Sequence, residues 1–249
     1  MYRPPLCSLL RRPVLFLAGL VLAFSASVAC SSGDPDDGGT YVSLGDSLAV
    51  GVGSSEPDEL GYAPLYRDAL SREAGAEVTL VQLGIPGETS ASFIGGYPGS
   101  PSQLGDAVAA LRSDPGARVT LSLGGNDLIG AGQTVAERSA ALSDYAANLD
   151  YILTTLDGAS DPAPEVSVLA VYNPAPGAQT EEWVERLNRE IRAVARRNGA
   201  TVAAGDRAFR GRESEFARYA RYPGDIHPTD AGHAALARAF ERAGDPPGL

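Results

Sequence analysis

Lysine is absent from the 249 residues, and all 20 basic side chains are arginine. Acidic residues number 31, giving a formal charge of −11. Such a chain repels nucleic acid and anionic lipid headgroups, so neither is an expected electrostatic partner. Histidine occurs twice, as His227 and His233. Two metal ligands on one helical face sit four residues apart, and these are six apart, so no metal site is expected and no cofactor is implied. His233 reads as a helix-surface or packing residue. Long apolar runs are missing except for Val14–Val28, which is too short for a comfortable membrane span.

That run, preceded by Arg3, Arg11 and Arg12, makes residues 1–29 an expected export signal. The residues around Arg11-Arg12 fit the twin-arginine route poorly. The segment ends in Ser27-Val28-Ala29-Cys30, which resembles the lipobox of bacterial lipoproteins, with Ser27 where leucine is usual. The resemblance implies a lipid on Cys30 and attachment to the outer face of the cell membrane. The alternative is an ordinary cleavage site beside a cysteine, which gives a secreted protein. Cys7 would leave with the signal, so no internal disulfide is available and the fold must rest on its core. Without the signal, 17 arginines face 31 acidic residues, a formal −14. Residues 30–39 contain the polar, glycine-rich run SSGDPDDGG and read as a flexible tether. Residues 40–245 suit one domain with a sizeable core.

Within that domain, runs rich in Val, Leu, Thr and Tyr alternate with amphipathic stretches. Thr40–Leu44, Glu77–Leu83, Arg118–Leu123, Glu165–Tyr172 and, more weakly, Ala200–Ala204 are predicted strands. Ala63–Ala74, Gln103–Arg112, Thr134–Leu156, Thr180–Arg197 and Thr229–Arg242 are predicted helices, and Thr180–Arg197 carries Trp183, Val184, Leu187, Ile191 and Val194 on one face. Alternation of this kind predicts an α/β fold, with a parallel sheet of about five strands and helices on both faces. Ligands then bind outside the carboxyl ends of the strands. Ser47 follows the first strand, Gly87 the second and Asn126 the third, while His227 follows the fifth. All four fall at one edge.

Their chemistry is complementary. Ser47, in Gly45-Asp46-Ser47-Leu48, has a hydroxyl that becomes a nucleophile when a base takes its proton. Read alone, it is equally a turn serine capping the following helix. Asp46 reads as a turn residue accepting local backbone hydrogen bonds. Gly87, in Gly84-Ile85-Pro86-Gly87-Glu88-Thr89, can bring a backbone N–H close to a developing oxyanion. Asn126, in Gly124-Gly125-Asn126-Asp127, can aim its amide at the same oxygen, or else bond to its own loop. His227, in Asp225-Ile226-His227-Pro228, supplies an imidazole able to accept and return a proton near neutrality.

These four segments, in this order, resemble the GDSL or SGNH hydrolases across essentially the whole domain from Gly45 to His227. The resemblance implies a flavodoxin-like three-layer α/β/α fold and hydrolysis of carboxylic esters through an acyl-serine, without a metal or cofactor. It implies Ser47 as nucleophile and His227 as base. The N–H groups of Ser47 and Gly87 and the side chain of Asn126 become the oxyanion hole. Expected substrates are short-chain acyl esters, lysophospholipids or acetylated glycans. A non-catalytic binding lipoprotein and an acyltransferase are the alternatives. Two positions depart from the pattern. The family carboxylate lies three residues before the histidine, where this chain has Gly224; Asp225 lies two before. Either Asp225 orients the imidazole from an altered loop or the Gly224 carbonyl does so. Gln82 stands where asparagine is frequent and is expected to support the loop. The pocket walls are expected from 51–61, 93–105, 129–134, 172–177 and 209–222, with Phe93, Tyr97, Phe209, Phe216 and Tyr219 as candidate lining residues.

Overall fold

The computed structural model describes residues 37–243. The predicted signal, Cys30 and residues 30–36 of the predicted tether lie outside the described residues, as do 244 and 245. Five strands form one sheet: β1 (Asp37–Gly45), β2 (Glu77–Gln82), β3 (Arg118–Ser122), β4 (Glu165–Leu169) and β5 (Thr201–Ala203). All pairings are parallel, in the order β2-β1-β3-β4-β5. The order reverses between β1 and β3, and that switch point is where a doubly wound sheet opens a crevice.

β1 starts three residues earlier than its apolar pattern suggests. Asp37 pairs with Glu77 across a register irregularity, so Asp37, Gly38 and Gly39 belong to the sheet and not to a tether. Ladder pairing uses backbone groups, so these residues need no apolar side chain to join it.

Side chains alternate across the sheet. Val42 and Leu44 of β1, with Val119 and Leu121 of β3, face a core completed by α2 (Gln103–Ser113), α3 (Val135–Asp157) and α4 (Ala178–Arg197). Tyr41 faces the other core, built with α1 (Tyr62–Ala74) and α5 (Asp230–Glu241). Helix ends follow their residues. Thr134 and Glu137 form a reciprocal capping box at α3. Thr229 Oγ1 accepts the Gly232 N–H at 3.1 Å to start α5. Among the described residues no helix is long and apolar enough to cross a membrane.

His233 on α5 is fully buried and is not a surface residue. Its Nδ1 accepts the Tyr62 N–H at 3.2 Å and its Nε2–H donates to the Val52 carbonyl at 3.1 Å, pinning α5 to the loop before α1. The bond from the Tyr62 N–H requires an unprotonated Nδ1 and hence neutral imidazole. Burial lowers its pKa from 6.5 to about 4, against the opposing pull of the Val52 carbonyl.

Unfolded, His233 gains its proton near pH 6.5; folded, it resists until about 4. Its contribution to stability is therefore complete above the first value and is lost as pH falls toward the second, by about 3 kcal/mol. His233→Gln lacks this titration, so its unfolding free energy in urea is expected to fall less than wild type over that interval. Parallel pH profiles for the two proteins would refute the neutral pin.

Candidate active site

β1 ends at Gly45, whose φ of +120° turns the chain out of the strand. A Cβ there would lie 1.9 Å from the Ser122 carbonyl oxygen at the end of β3, so only glycine fits. Asp46 N–H donates to that same carbonyl at 3.0 Å. Gln103 of α2 holds Gly45 from another side: its Oε1 accepts the Gly45 N–H at 2.6 Å and its Nε2 donates to the Gly45 carbonyl at 3.0 Å. Gln82 Nε2 donates to the Ala49 carbonyl at 2.7 Å, supporting the turn as expected. Asp46 also behaves as a turn residue. Its Oδ1 accepts the Leu48 N–H at 3.0 Å and the Ser122 hydroxyl at 3.1 Å. Burial nevertheless pushes this carboxyl up to about 7.

The rigid turn presents Ser47 at the switch point. Ser47 Oγ lies 3.0 Å from His227 Nε2, although 180 residues separate them. On the far side of the ring, His227 Nδ1 lies 2.9 Å from Asp225 Oδ1. The carboxylate of Asp225 therefore occupies the orienting position, and the Gly224 carbonyl does not. Asp225 Oδ1 also accepts the backbone N–H of His227 at 3.2 Å, which closes the tight two-residue loop.

Arg218 was not singled out by any sequence pattern. Its Nε donates to Asp225 Oδ2 at 2.6 Å, and a terminal nitrogen reaches the Gly53 carbonyl at 3.3 Å. No spacing rule links an arginine to a carboxylate seven residues away across an irregular loop, so the sequence carried no signal for it. Partial burial raises the Asp225 pKa, but the bonds from Arg218 and His227 prevail and hold it at about 2. The loop is strapped at further points. Arg218 N–H donates to the His227 carbonyl at 2.9 Å, and the buried Tyr172 hydroxyl donates to the Ile226 carbonyl at 2.7 Å.

The candidate oxyanion donors follow the next two strands. Ile85-Pro86-Gly87-Glu88 forms a turn closed by Glu88 N–H to the Ile85 carbonyl at 3.1 Å. Proline at its second position and Gly87 at φ +84° fit a type II turn. Among the described residues, the N–H groups of Ser47 and Gly87 donate to no protein acceptor. Asn126 Nδ2 donates one hydrogen to the Glu88 carbonyl at 2.9 Å, so it bonds across to the Gly87 turn and not to its own loop. The second hydrogen remains for a ligand. Below, buried Glu88 accepts Gln103 Nε2 at 2.9 Å and the Ser92 hydroxyl. Asp127 accepts the Ser90 hydroxyl at 2.5 Å. The segments after β1, β2 and β3 are thus tied to one another beneath the site.

A cleft of about 330 Å³ opens from Ser47, Asn126 and His227. Ile129, Tyr172 and Tyr219 line it, within the expected wall segments. Phe93, Phe209 and Phe216 instead belong to the packed cores, and Tyr97 is exposed elsewhere on the surface. Residues 51–61 and 93–105 do not line the cleft. Trp183, Val184 and Leu187 do; their helical spacing marked them as packing residues, and α4 uses the same stripe for both purposes.

The model of the GDSL-like lipase/acylhydrolase family matches residues 43–235. The spore germination lipase LipC of Bacillus licheniformis is 24% identical over 217 residues, covering 82% of this chain and 95% of that protein. Acetylxylan esterase Axe2 of Geobacillus stearothermophilus superimposes with a TM-score of 0.63 at 18% identity, over 85% of this chain and 96% of its own. The lipase Lip_vut3 from a goat rumen metagenome gives 0.61 at 23% identity, over 82% and 97%. These structural likenesses support the three-layer α/β/α fold.

Asp225→Ala is expected to lower kcat by roughly two to four orders of magnitude, because the imidazole loses its orienting carboxylate. Arg218→Ala removes a bond that helps hold the Asp225 carboxyl at about 2 and frees the loop that carries it, so kcat on an activated ester is expected to fall, by less than in Asp225→Ala; an unchanged kcat would show that the carboxylate is placed without Arg218.

Proposed function

Because the chain belongs to the GDSL-like lipase/acylhydrolase family and is a serine ester hydrolase, we propose that it cleaves carboxylic esters through an acyl intermediate on Ser47. His227 takes the Ser47 proton as the oxygen attacks the ester carbonyl. Asp225 holds the ring so that Nε2 faces the serine, and its charge stabilises the imidazolium that forms. The tetrahedral oxyanion rests on the N–H groups of Ser47 and Gly87 and the amide of Asn126. His227 then returns the proton to the departing alcohol, and water repeats the sequence to release the acid. The observation that carries this reading is the 3.0 Å contact between Ser47 Oγ and His227 Nε2, backed by Asp225 and opening onto the cleft.

The substrate classes in view remain short-chain acyl esters, lysophospholipids and acetylated glycans. LipC is a lipase and Axe2 an acetylxylan esterase, so relatives of both kinds support an ester and neither selects one. We also place the protein outside the cytoplasm, held at the membrane by a lipid on Cys30. The Ser27-Val28-Ala29-Cys30 run supports this, together with the lack of a cysteine partner once Cys7 is removed.

A serine-directed fluorophosphonate is expected to label wild type and not Ser47→Ala, and Ser47→Ala should show no ester turnover above background. Asn126→Ala should lose about 100- to 1000-fold in kcat with a smaller change in KM. An unlabelled, folded wild-type protein would leave a binding lipoprotein instead. If an added acceptor alcohol outcompetes water for the acyl group, the protein is an acyltransferase. For the anchor, Cys30→Ala should move the protein from the membrane fraction to the medium; continued membrane association would remove the lipidation proposal.

A further inference from the structure

The cleft walls are mostly apolar, with Leu128, Ile129, Val171, Trp183, Val184 and Leu187, although Gln133, Arg138, Asn173 and Thr180 also line it. Two elements supply most of them. The segment after Asn126 contributes one side, and the first turns of α4 contribute the other. Asn188 fixes α4 at the sheet edge, since its side chain accepts the Val171 N–H at 2.7 Å and donates to the Val171 carbonyl at 2.8 Å. Leu187 therefore sits near the strand ends, and Val184 and Trp183 lie about one turn, ~5 Å, farther out along the helix.

Beside Trp183, α3 packs against α4. Arg138, on the first turn of α3, lies over the Trp183 ring at 5.7 Å from its centroid. Its Nε donates to the Gly132 carbonyl at 3.2 Å and its terminal nitrogen to Gln133 Oε1 at 3.3 Å. Arg138 forms no ion pair among the described residues. The guanidinium joins the 131–134 loop to the indole. From the other side, Arg186 stacks on the same ring at 4.7 Å. Trp183 is thus held in place by cation–π contacts with two arginines, and it stays buried although it borders a cleft. The wall also continues outward as apolar surface. Ile129 lines the cleft and is 62% exposed.

We propose that this cleft is an acyl-chain site for medium-length fatty acyl esters, and that Trp183 is the specificity-determining end wall that limits chain length. At about 30 Å³ for a group the size of water or a methylene, the whole cleft of about 330 Å³, catalytic end included, has room for roughly ten such groups, which sets an upper limit of about ten carbons on the acyl chain. An acetyl group would leave most of that apolar surface wet. The inference rests on the acyl-Ser47 reading and specifies the substrate of that same site.

The test is a series of p-nitrophenyl esters from acetate to palmitate, run on wild type, Trp183→Ala and Val184→Trp, with fluorophosphonate labelling of each. Wild-type kcat/KM is expected to rise about fourfold per methylene, the equivalent of ~0.8 kcal/mol of apolar burial, up to octanoate or decanoate, and then to fall. Trp183→Ala should move the optimum to longer esters. Val184→Trp adds bulk at a half-buried position and should move it to shorter ones, which keeps the test decisive if Trp183→Ala fails to fold. Acetate preference in a wild-type protein that is labelled at Ser47 would overturn the acyl site and leave the esterase standing. Optima unmoved in the folded variants would overturn the end wall. Absence of both labelling and turnover in wild type would remove the esterase and the acyl site with it.

Discussion

The carbonyl of Ser122 and the backbone of Gly45 cannot both occupy their places unless position 45 lacks a side chain. That close approach of β1 and β3 lets the chain turn sharply at the switch point and lift Ser47 above the sheet. Gln103 bonds both the N–H and the carbonyl of Gly45, and that carbonyl also accepts the Ile85 N–H. The same amide reaches Glu88, whose carbonyl holds Asn126. One side chain from α2 therefore connects the nucleophile turn to the turn bearing Gly87 and, through it, to the oxyanion amide. A buried polar network of this kind is costly if incomplete, because each orphaned group loses its water without a replacement. Among the described residues no buried side-chain polar atom lacks a partner. The network thus fixes the relative positions of the reacting groups before substrate arrives, which is what electrostatic catalysis requires.

Carboxylates placed within this small region have different tasks because their surroundings differ. Asp46 faces a buried hydroxyl and an N–H without any cation, so desolvation prevails and its carboxyl is pushed up to about 7. Asp127 lies beneath the oxyanion side and is also raised by burial, with Ser90 as its partner. Asp225 is more open to solvent and has Arg218 on one oxygen and His227 on the other. It stays ionised to about 2 and can act as a permanent negative charge behind the imidazole. The acidity of the whole chain plays no part in this division. Local hydrogen bonds and burial decide which aspartate carries charge into the reaction.

Much of this was legible in the residues. The β-rich runs located all five strands, and the carboxyl-edge rule brought Ser47, Gly87, Asn126 and His227 together before any coordinate was known. Local patterns could not resolve features set by long-range contact. The two-residue spacing of Asp225 and His227 left two orienting groups open, because the choice depends on how the loop is drawn in by Arg218, Gly53 and Tyr172. Asp37, Gly38 and Gly39 looked like tether because they bury nothing apolar, yet β2 has backbone to pair with them. His233 gave no hint of its two backbone partners, which come from the far end of the chain. Periodicity identified the apolar stripe of α4 correctly. It could not reveal that the helix overhangs the sheet edge, so that one end of the stripe faces a cleft and the other a core.

That overhang separates what the fold provides from what this chain selects. Axe2 and Lip_vut3 share the three-layer scaffold, and one is an acetylxylan esterase and the other a lipase. A scaffold that accommodates both fixes the strand ends and leaves the walls free to vary. In this chain the walls beyond the strand ends include the segment from Leu128 to Arg138 and the first turns of α4. Neither belongs to the sheet, and their mutual contact runs through Arg138 and Trp183. Under the acyl-site proposal, chain length is selected by the guanidinium–indole contact between Arg138 and Trp183, which does not touch Ser47 or His227, although α3 also reaches the oxyanion side through Tyr145 and Asn148.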